Sequence, residues 1–355
     1  MKTNLTWLVA LMVITSCHQQ ETPESGWKKY ASNPVVRKGD PPSYDFINVA
    51  DCEVVFDDNV YKMWYTAGGE VPPNTELHNS IAYATSSDGI HWTKYNDNPV
   101  LDITSDAWDS LGVETVTVIV DDAAPAASRY KLWYAGQTFN DYRYEIGYAY
   151  SPDGIHWTKH PGAVLLVGDA DDWDNCFLEG PTVVKKDGQY KMWYAGLDCE
   201  VNGQSTDGKV NIGYATSPDG ITWTKYAGNP VLTTSAGEWD AVTVQDPTVL
   251  VHNGLYHMWY GGVDVDENYF QQTGYAFSED GIHWTKSSNN PVVRRGEPGA
   301  WDANTASFPT VLIKDGNLKM WYTGKDVHPL PAWPTPYFWD VGYAEKLLPS
   351  TDRLD

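Results

Sequence analysis

The sequence predicts an all-β fold, a five-bladed β-propeller with four antiparallel strands in each blade. Three short markers recur along its 355 residues. A Trp-Tyr dipeptide after Met or Leu and an aromatic-Asp pair each occur five times, and Ser-x-Asp-Gly-Ile occurs four times. Successive aspartates of the aromatic-Asp pairs are 64, 65, 66 and 62 residues apart, so one structural unit is repeated five times. These aspartates are Asp45, Asp109, Asp174, Asp240 and Asp302.

Each repeat alternates apolar and polar residues with the period of two that is typical of β-strands. A Pro-Thr-Val-like stretch and the Lys-Met-Trp-Tyr segment after it predict the first and second strands. Ile-Gly-Tyr-Ala-Thr-Ser predicts the third strand, and Ser-Pro-Asp-Gly is a tight turn into the fourth, His-Trp-Thr-Lys. Because the repeats have no helical periodicity, four antiparallel strands in each of them indicate a propeller.

The two ends of the chain are predicted to complete one blade together. The fifth repeat stops after its third strand, at residues 341–346, and residues 26–36 match the fourth strands of the other repeats. We therefore predict that the N-terminal segment supplies the outer strand of the last blade, which leaves no open sheet edge. The propeller is predicted to span residues 26–346, and a C-terminal tail covers residues 347–355.

The first residues resemble a bacterial lipoprotein signal. Lys2 precedes an apolar run that is too short to span a membrane, and Ile14-Thr15-Ser16-Cys17 resembles a lipobox. We expect a signal peptide over residues 1–16, a lipidated Cys17 and a polar tether over residues 17–25. This predicts a protein anchored by lipid to the outer membrane of a bacterial cell envelope, facing the periplasm or the outside. The alternative is a plain signal peptide that is cleaved elsewhere.

Composition and charge favour a neutral carbohydrate ligand. The formal net charge of −23 argues against nucleic acid or anionic lipid headgroups as partners, so membrane contact is expected only through the lipid anchor. The chain has 17 Trp and 23 Tyr but only 8 Phe, and amphipathic rings suit sugar binding, although packing in an all-β core explains most of them. We expect a monomer that binds an oligosaccharide or polysaccharide.

Acidic residues interrupt the repeat where each first strand begins. First strands ring the axis of a propeller, so these acids should converge on its upper face, where the long and variable loops between second and third strands also lie. Converging carboxylates raise one another's pKa, which chemistry can use, although they could instead bond loop amides or a cation. Counted from the aromatic-Asp pairs, the first column is Ala50, Glu114, Glu179, Gln245 and Ser307. The second column is Asp51, Thr115, Gly180, Asp246 and Phe308.

With this arrangement the chain resembles the five-bladed glycoside hydrolases of the family 43, family 32 and family 117 type. Leu178-Glu179-Gly180-Pro181 matches the general-acid motif of family 43, in the third blade. The resemblance implies that Glu179 is the general acid, that Asp51 is the general base, and that Glu114 orients Glu179 and raises its pKa. In the second blade the expected column holds Thr115, and Glu114 lies one residue earlier.

Further residues are predicted to bind substrate. Asp246 is followed by Pro247 and is as good a candidate for the base as Asp51. Glu53 stands where other repeats have Thr. The aromatic-Asp pairs and the aspartates of the Ser-x-Asp-Gly turns are expected to be scaffold. The remaining predicted contacts are Gln245 beside Asp246, Arg143, His78 and His328 on upper-face loops, and Trp333 with Tyr337, Phe338 and Trp339 as a stacking platform.

The predicted function is hydrolysis of glycosidic bonds in plant or algal glycan fragments, and the resemblance implies an arabinofuranosidase or xylosidase type of activity. Inversion predicts roughly 6.5–9.5 Å between the carboxyls of Asp51 and Glu179, whereas about 5 Å between any pair of the acids would favour a covalent intermediate. Only six Arg argue against sialidases and phosphate-using mannoside phosphorylases. The alternative is a glycan-binding lipoprotein without catalysis.

No cofactor is expected to be required, and a structural calcium ion on the axis is left open. With Cys17 lipidated, three Cys remain, which allows at most one disulfide. Cys176 and Cys199 flank the upper face and are the candidate pair.

Overall fold

The computed structural model describes residues 26–71, 74–138, 143–197, 208–264, 270–326 and 339–355. Within these ranges the chain forms twenty strands and one turn of 3-10 helix, Ala126–Ser128. The strands are β1 Lys28–Lys29, β2 Asn48–Asp57, β3 Val60–Val71, β4 Asn74–Ser86, β5 Trp92–Lys94, β6 Gly112–Val120, β7 Tyr130–Gln137, β8 Tyr144–Ser151, β9 Thr158–Lys159, β10 Phe177–Lys186, β11 Gln189–Leu197, β12 Asn211–Ser217, β13 Thr224–Lys225, β14 Thr243–His252, β15 Leu255–Val263, β16 Gln271–Ser278, β17 Thr285–Lys286, β18 Thr305–Lys314, β19 Asn317–Lys325 and β20 Trp339–Leu347.

The strands pair as antiparallel groups of four, as the sequence predicts. In the described residues the groups are β2–β5, β6–β9, β10–β13, β14–β17, and β18–β20 with β1. We call them units 1 to 5 in this order. The first strands of the units contact one another in a closed cycle, β2 to β6, β10, β14, β18 and back to β2. All five first strands therefore surround one axis.

The N-terminal strand completes unit 5, as predicted. Lys28 and Lys29 of β1 pair with Glu345 and Ala344 of β20. In addition, the Lys29 ammonium lies 2.6 Å from the buried carboxylate of Asp302. Each of the other units has the same ion pair between the Asp of its aromatic-Asp pair and the Lys at the end of its outer strand. These pairs are Lys94–Asp45, Lys159–Asp109, Lys225–Asp174 and Lys286–Asp240.

The repeated aspartates are therefore part of the scaffold. The Asp of each aromatic-Asp pair is 1–2% exposed, and its Lys partner compensates the cost of burying a charge. On the lower face, Asp88 accepts hydrogen bonds from the amides of Ile90 and His91, both at 2.8 Å. The same turn recurs at Asp153, Asp219 and Asp280.

The core lies between neighbouring units and not at the centre of the molecule. Each unit contributes one fully buried Trp from its second strand, namely Trp64, Trp133, Trp193, Trp259 and Trp321. Four of these indoles donate a hydrogen bond of 2.7 Å to the carbonyl of the Ser-x-Asp-Gly glycine in the next unit. Full burial of a large apolar side chain contributes roughly 1.5–3 kcal/mol. The Trp residues therefore join the units through both packing and hydrogen bonds.

No helix among the described residues has both the length and the apolar character needed to cross a membrane.

Candidate active site

Every first strand has a β-bulge at the second column. The register with the second strand shifts by one residue between Ala50 and Glu53, and at the equivalent place in the other four units. All five second-column residues have a positive φ of 45° to 54°. A bulge turns side chains away from the regular alternation of a strand. Here it allows two successive residues of one strand, in the first and second columns, to reach the same site.

The bulges surround a cavity on the axis. It is open to solvent, comprises about 350 Å³ of space with that solvent counted, and lies at and below the second column. Glu114 and Glu179 come one residue before cavity-lining positions, at its upper end. The lining residues are Asp51, Cys52, Glu53, Thr115, Val116, Gly180, Pro181, Thr182, Asp246, Pro247, Thr248, Phe308 and Pro309.

The four acids predicted from the sequence meet at this site. Burial is the largest cause of a raised pKa in each of them. The charge of Glu114 adds to the effect of burial on Asp246, whose pKa is raised to about 7 although a hydrogen bond with Gln245 opposes the shift. The charges of Asp246 and Glu114 both add to the raised pKa of Asp51, and a hydrogen bond with Thr66 opposes it. The charges of Glu114, Asp246 and Asp51 all add to the raised pKa of Glu179.

The four carboxyls interact, so they titrate as a coupled group. Glu114 and Glu179 also share a side-chain hydrogen bond, which lowers the pKa of Glu114 and raises that of Glu179. Burial and the charges of the other three acids therefore all favour the protonated form of Glu179.

Gly180 allows Asp246 to approach Glu179. A Cβ atom at Gly180 would lie 2.5 Å from Asp246 Oδ1, closer than real Cβ contacts come. Gly180 also has a φ of +54°, which glycine adopts without steric cost. The glycine of Glu-Gly-Pro therefore has two local roles. It adopts the positive φ of the bulge, and it leaves room for the carboxylate of Asp246. Asp246 Oδ2 is buried and has no hydrogen-bond partner among the described residues.

Glu53 lies deeper in the cavity, next to the free thiol of Cys52. Burial raises the pKa of Glu53 to about 8, and a hydrogen bond with Thr310 opposes this shift. In three units the Thr at this position accepts a hydrogen bond from the next first strand, for example Thr182 from the amide of Val249 at 3.2 Å. Glu53 replaces one of these threonines, so at neutral pH unit 1 places a protonated carboxyl there.

Several predicted contacts do not line the cavity. His78 is buried, and its Nε2 lies 2.7 Å from Asp102 Oδ1. Arg143 is exposed at the start of the third strand of unit 2. Gln245 touches Asp246, as expected from its place in the first column. His328, Trp333, Tyr337, Phe338, Cys17 and Cys199 lie outside the described residues.

Cys176 is disulfide-bonded, and its predicted partner Cys199 lies outside the described residues, so the pairing stays a prediction.

Three residues that touch the acids were not expected from the sequence. The amide of Asn79 donates a hydrogen bond to Glu114, and Tyr144 makes a second hydrogen bond to the same carboxyl. Thr66 touches Asp51 and also accepts a hydrogen bond of 3.0 Å from the amide of Thr115. Each lies on a second or third strand. The aligned repeats have no column of acids there, so the alignment did not single out these residues.

Among the described residues, no group of three or more His, Cys, Asp or Glu side chains has an arrangement that could hold a metal ion. The structural calcium ion that the sequence leaves open stays a prediction.

Comparisons with known proteins support the resemblance. A family model described as the glycosyl hydrolases family 32 N-terminal domain matches residues 126–268. An uncharacterized protein of Mycobacterium tuberculosis is 27% identical over 236 residues, which cover 65% of this chain and 72% of that protein.

Two solved structures that are 18% identical to the chain share its fold. One belongs to work on the GH130 family of mannoside phosphorylases, which contains glycoside hydrolases that target β-1,2 mannosidic linkages in Candida mannan. It has a TM-score of 0.69 and covers 93% of this chain and 96% of its own. The other is a thermostable family-43 glycoside hydrolase with a TM-score of 0.63, covering 89% and 94%.

The expected resemblance to propeller glycoside hydrolases of the family 43 and family 32 type is therefore confirmed. So is the all-β fold. The family model matches part of the chain, and the structural neighbours share its fold.

Proposed function

We propose that this protein is a glycoside hydrolase in which Glu179 is the general acid, and that its five units are the blades of a five-bladed β-propeller. The observation that carries the proposal is the pair formed by Glu114 and Glu179. The two carboxyls share a hydrogen bond, and burial and the charge of Glu114 raise the pKa of Glu179, which suits a general acid at neutral pH. Four buried acids with a raised pKa near one axis also argue for chemistry.

The proposed reaction is a single displacement. Glu179 donates its proton to the glycosidic oxygen as the bond from that oxygen to the anomeric carbon breaks. A water molecule attacks the anomeric carbon, and an ionised aspartate takes the proton of the water. The resemblance favours Asp51 as this base. Asp246, which is followed by Pro247 and whose pKa is raised to about 7, is the alternative base. Inversion of configuration is part of the proposal.

The substrate is proposed to be a neutral sugar of a plant or algal glycan, of the arabinofuranoside or xyloside type. No Lys or Arg is among the described residues that line the cavity, so no cation among them would bind an anionic sugar or a phosphate co-substrate. Phe308 supplies an apolar ring to the wall, and its ring packs edge to face against Trp339 with centroids 5.8 Å apart. Such a ring can stack on the C–H face of a sugar.

The test is the dependence of rate on the leaving group. Glu179→Gln should lower kcat/KM by at least about 10³-fold with alkyl or simple phenyl glycosides, because their leaving groups need a proton. It should lower kcat/KM much less with dinitrophenyl glycosides, which leave unprotonated. Loss of the base, by Asp51→Asn or Asp246→Asn, should slow all leaving groups alike. Proton NMR of the first-formed sugar anomer checks inversion.

Each outcome decides a different part of the proposal. If wild-type protein cleaves no glycoside but binds oligosaccharides, the protein is a glycan-binding module and the enzymatic proposal fails. If wild type is active and Glu179→Gln slows all leaving groups equally, Glu179 is not the acid. Whichever of Asp51→Asn and Asp246→Asn loses more activity identifies the base.

The setting of the enzyme is part of the same proposal. Residues 1–16 and Cys17 are proposed to place the protein on the bacterial outer membrane as a lipid-anchored monomer. Labelling with radioactive palmitate, compared with a Cys17→Ser variant, tests the anchor, since the variant should lose the label.

A further inference from the structure

The geometry points to Asn79 and Tyr144 as positioning residues: they hold the Glu114 carboxylate against Glu179, so that Glu179 retains the proton it delivers. The inference rests on the proposed function, because it concerns the same acid. It adds two residues from units 1 and 2 that do not line the cavity.

Asn79 is itself held in one orientation. It lies on β4, where it pairs with Gly68 of β3. Its Oδ1 accepts a hydrogen bond of 3.4 Å from the side-chain amide of Asn48, and its Nδ2 donates to Glu114 Oε2. Because the oxygen of the amide is already engaged by a donor, its NH₂ group faces the carboxylate. Asn48 thus fixes which end of Asn79 meets Glu114.

Tyr144 approaches Glu114 from the other side. It is the first residue of β8 and pairs in parallel with Phe177, the first residue of β10, two residues before Glu179. Its ring packs edge to face against that of Phe177 with centroids 6.4 Å apart. Burial, followed by the charges of Glu114 and Glu179, raises the pKa of the Tyr144 hydroxyl. The hydroxyl therefore stays protonated and remains a donor to Glu114.

The other groups that face Glu114 do not stabilise its charge by attraction. They are the carboxyls of Glu179 on β10, Asp51 on β2 and Asp246 on β14, all of which feel its charge. Hydrogen bonds from Asn79, Tyr144 and Glu179 are what lower the pKa of Glu114 against the effect of burial. A charged acceptor strengthens such bonds. Without the first two, Glu114 would compete with Glu179 for their proton.

The experiment compares Tyr144→Phe and Asn79→Leu with Tyr150→Phe. Tyr150 lies on the same strand, β8, with its side chain 36% exposed, so its variant is a matched control. Each test variant should lower kcat/KM with phenyl glycosides, whose leaving group needs the proton of Glu179, about 10-fold more than with dinitrophenyl glycosides, while the control changes neither. An equal loss with both leaving groups would indicate a merely structural role and overturn the inference.

A second readout does not depend on activity. In protein labelled with ¹³C at the glutamate carboxyls, the Glu114 resonance should titrate about one pH unit higher in Tyr144→Phe than in wild type. If wild type cleaves no glycoside yet this shift occurs, the proposed function fails and the arrangement of the carboxyls stands. If the Glu114 titration is unchanged, the positioning role fails whatever the activity.

Asn48→Ala guards against misfolding of Asn79→Leu. It leaves Asn79 in place but frees its amide to rotate, so a smaller preferential loss with phenyl glycosides is expected. No preferential loss in a folded Asn48→Ala and a folded Asn79→Leu would overturn the role of Asn79.

Discussion

Residues with a positive φ occur in two regions of the molecule, the second column on the upper face and the Ser-x-Asp-Gly turns on the lower face. In the turns the residue with positive φ is always glycine, with φ of 80° to 82° at Gly89, Gly154, Gly220 and Gly281. In the second column φ is 45° to 54°, yet glycine occurs only at Gly180, and the other residues are two Asp, one Thr and one Phe.

This difference separates scaffold from site. A positive φ costs roughly 1–2 kcal/mol for residues with a Cβ, and it is rare for β-branched or bulky ones such as Thr115 and Phe308. At the turns, every residue with a positive φ is glycine, which adopts it without strain. In the second column the positive φ is the same in all five units, but the residue differs from unit to unit although a Cβ makes this conformation unfavourable. Strain that persists in this way is typical of functional sites.

The largest expected effect comes from placing the same methyl group in the two regions. Gly180→Ala and Gly154→Ala both add a Cβ at positive φ, and the new atom would lie 2.5 Å from Asp246 Oδ1 or 2.8 Å from Trp64 Cζ2. Both variants should lose roughly 1–2 kcal/mol or more of stability. Only Gly180→Ala should also lose kcat/KM, by about 10²-fold, because it displaces the carboxylate of Asp246, a proposed candidate for the base.

Urea unfolding and kinetics on the same preparations check this. An active Gly180→Ala with the stability of Gly154→Ala would mean that Asp246 is not part of the reaction. A Gly154→Ala variant that is folded but inactive would mean that the two faces are coupled.

The pH dependence of stability should have opposite signs in the two regions. The pKa of Asp246 is raised to about 7, so between about pH 4 and 7 the folded protein keeps a proton that the unfolded chain has lost. Its contribution therefore lowers stability as pH rises through this window, by up to about 4 kcal/mol. Asp246→Asn should be more stable than wild type at pH 7 and should differ little from it at pH 4.

The turn acid Asp219 should behave in the reverse way. Hydrogen bonds, first from the amide of Thr222, lower its pKa to about 2. Its contribution to stability is therefore present above about pH 4 and is lost as pH falls through 2. Asp219→Asn should be less stable than wild type at pH 7, and the difference should shrink on acidification. Guanidinium unfolding at several pH values measures both effects. If both variants changed the unfolding free energy at pH 7 in the same direction, the contrast between the site and the scaffold would be contradicted.

The repeat made the scaffold predictable, and departures from it made the acids predictable. Five spaced aromatic-Asp pairs were enough to align Asp51, Glu114, Glu179 and Asp246, and the match of residues 26–36 to other outer strands placed β1 beside β20. The positive φ of the second column was not predictable, because Asp, Thr and Phe do not signal it.

Asn79 and Tyr144 escaped prediction for another reason. Asn79 lies within β4 and Tyr144 begins β8, and both belong to segments that differ completely between repeats, so no column aligns them. Their importance follows from hydrogen bonds across units, which only three-dimensional packing creates. His78 illustrates the converse, since its position on an upper-face loop suggested substrate contact while its side chain is buried against Asp102.

The smallest effect concerns the join between units. Trp64 Nε1 donates a hydrogen bond of 2.7 Å to the carbonyl of Gly154 in unit 2. Trp259 has no such partner among the described residues, because the outer strand of unit 5 is β1 and no Ser-x-Asp-Gly turn precedes it. Instead Trp27 packs edge to face against it with centroids 6.5 Å apart.

Replacing each of these Trp residues by Phe removes a similar volume from two equally buried positions. Trp64→Phe should cost about 1–2 kcal/mol more than Trp259→Phe, because it also leaves the Gly154 carbonyl without this donor. The difference between the two unfolding free energies, and not either value alone, isolates the hydrogen bond. A difference near zero would mean that packing alone joins the units. In that case the constancy of the Ser-x-Asp-Gly turns would reflect their own amide hydrogen bonds to Asp, and not the indole that reaches them from the neighbouring unit.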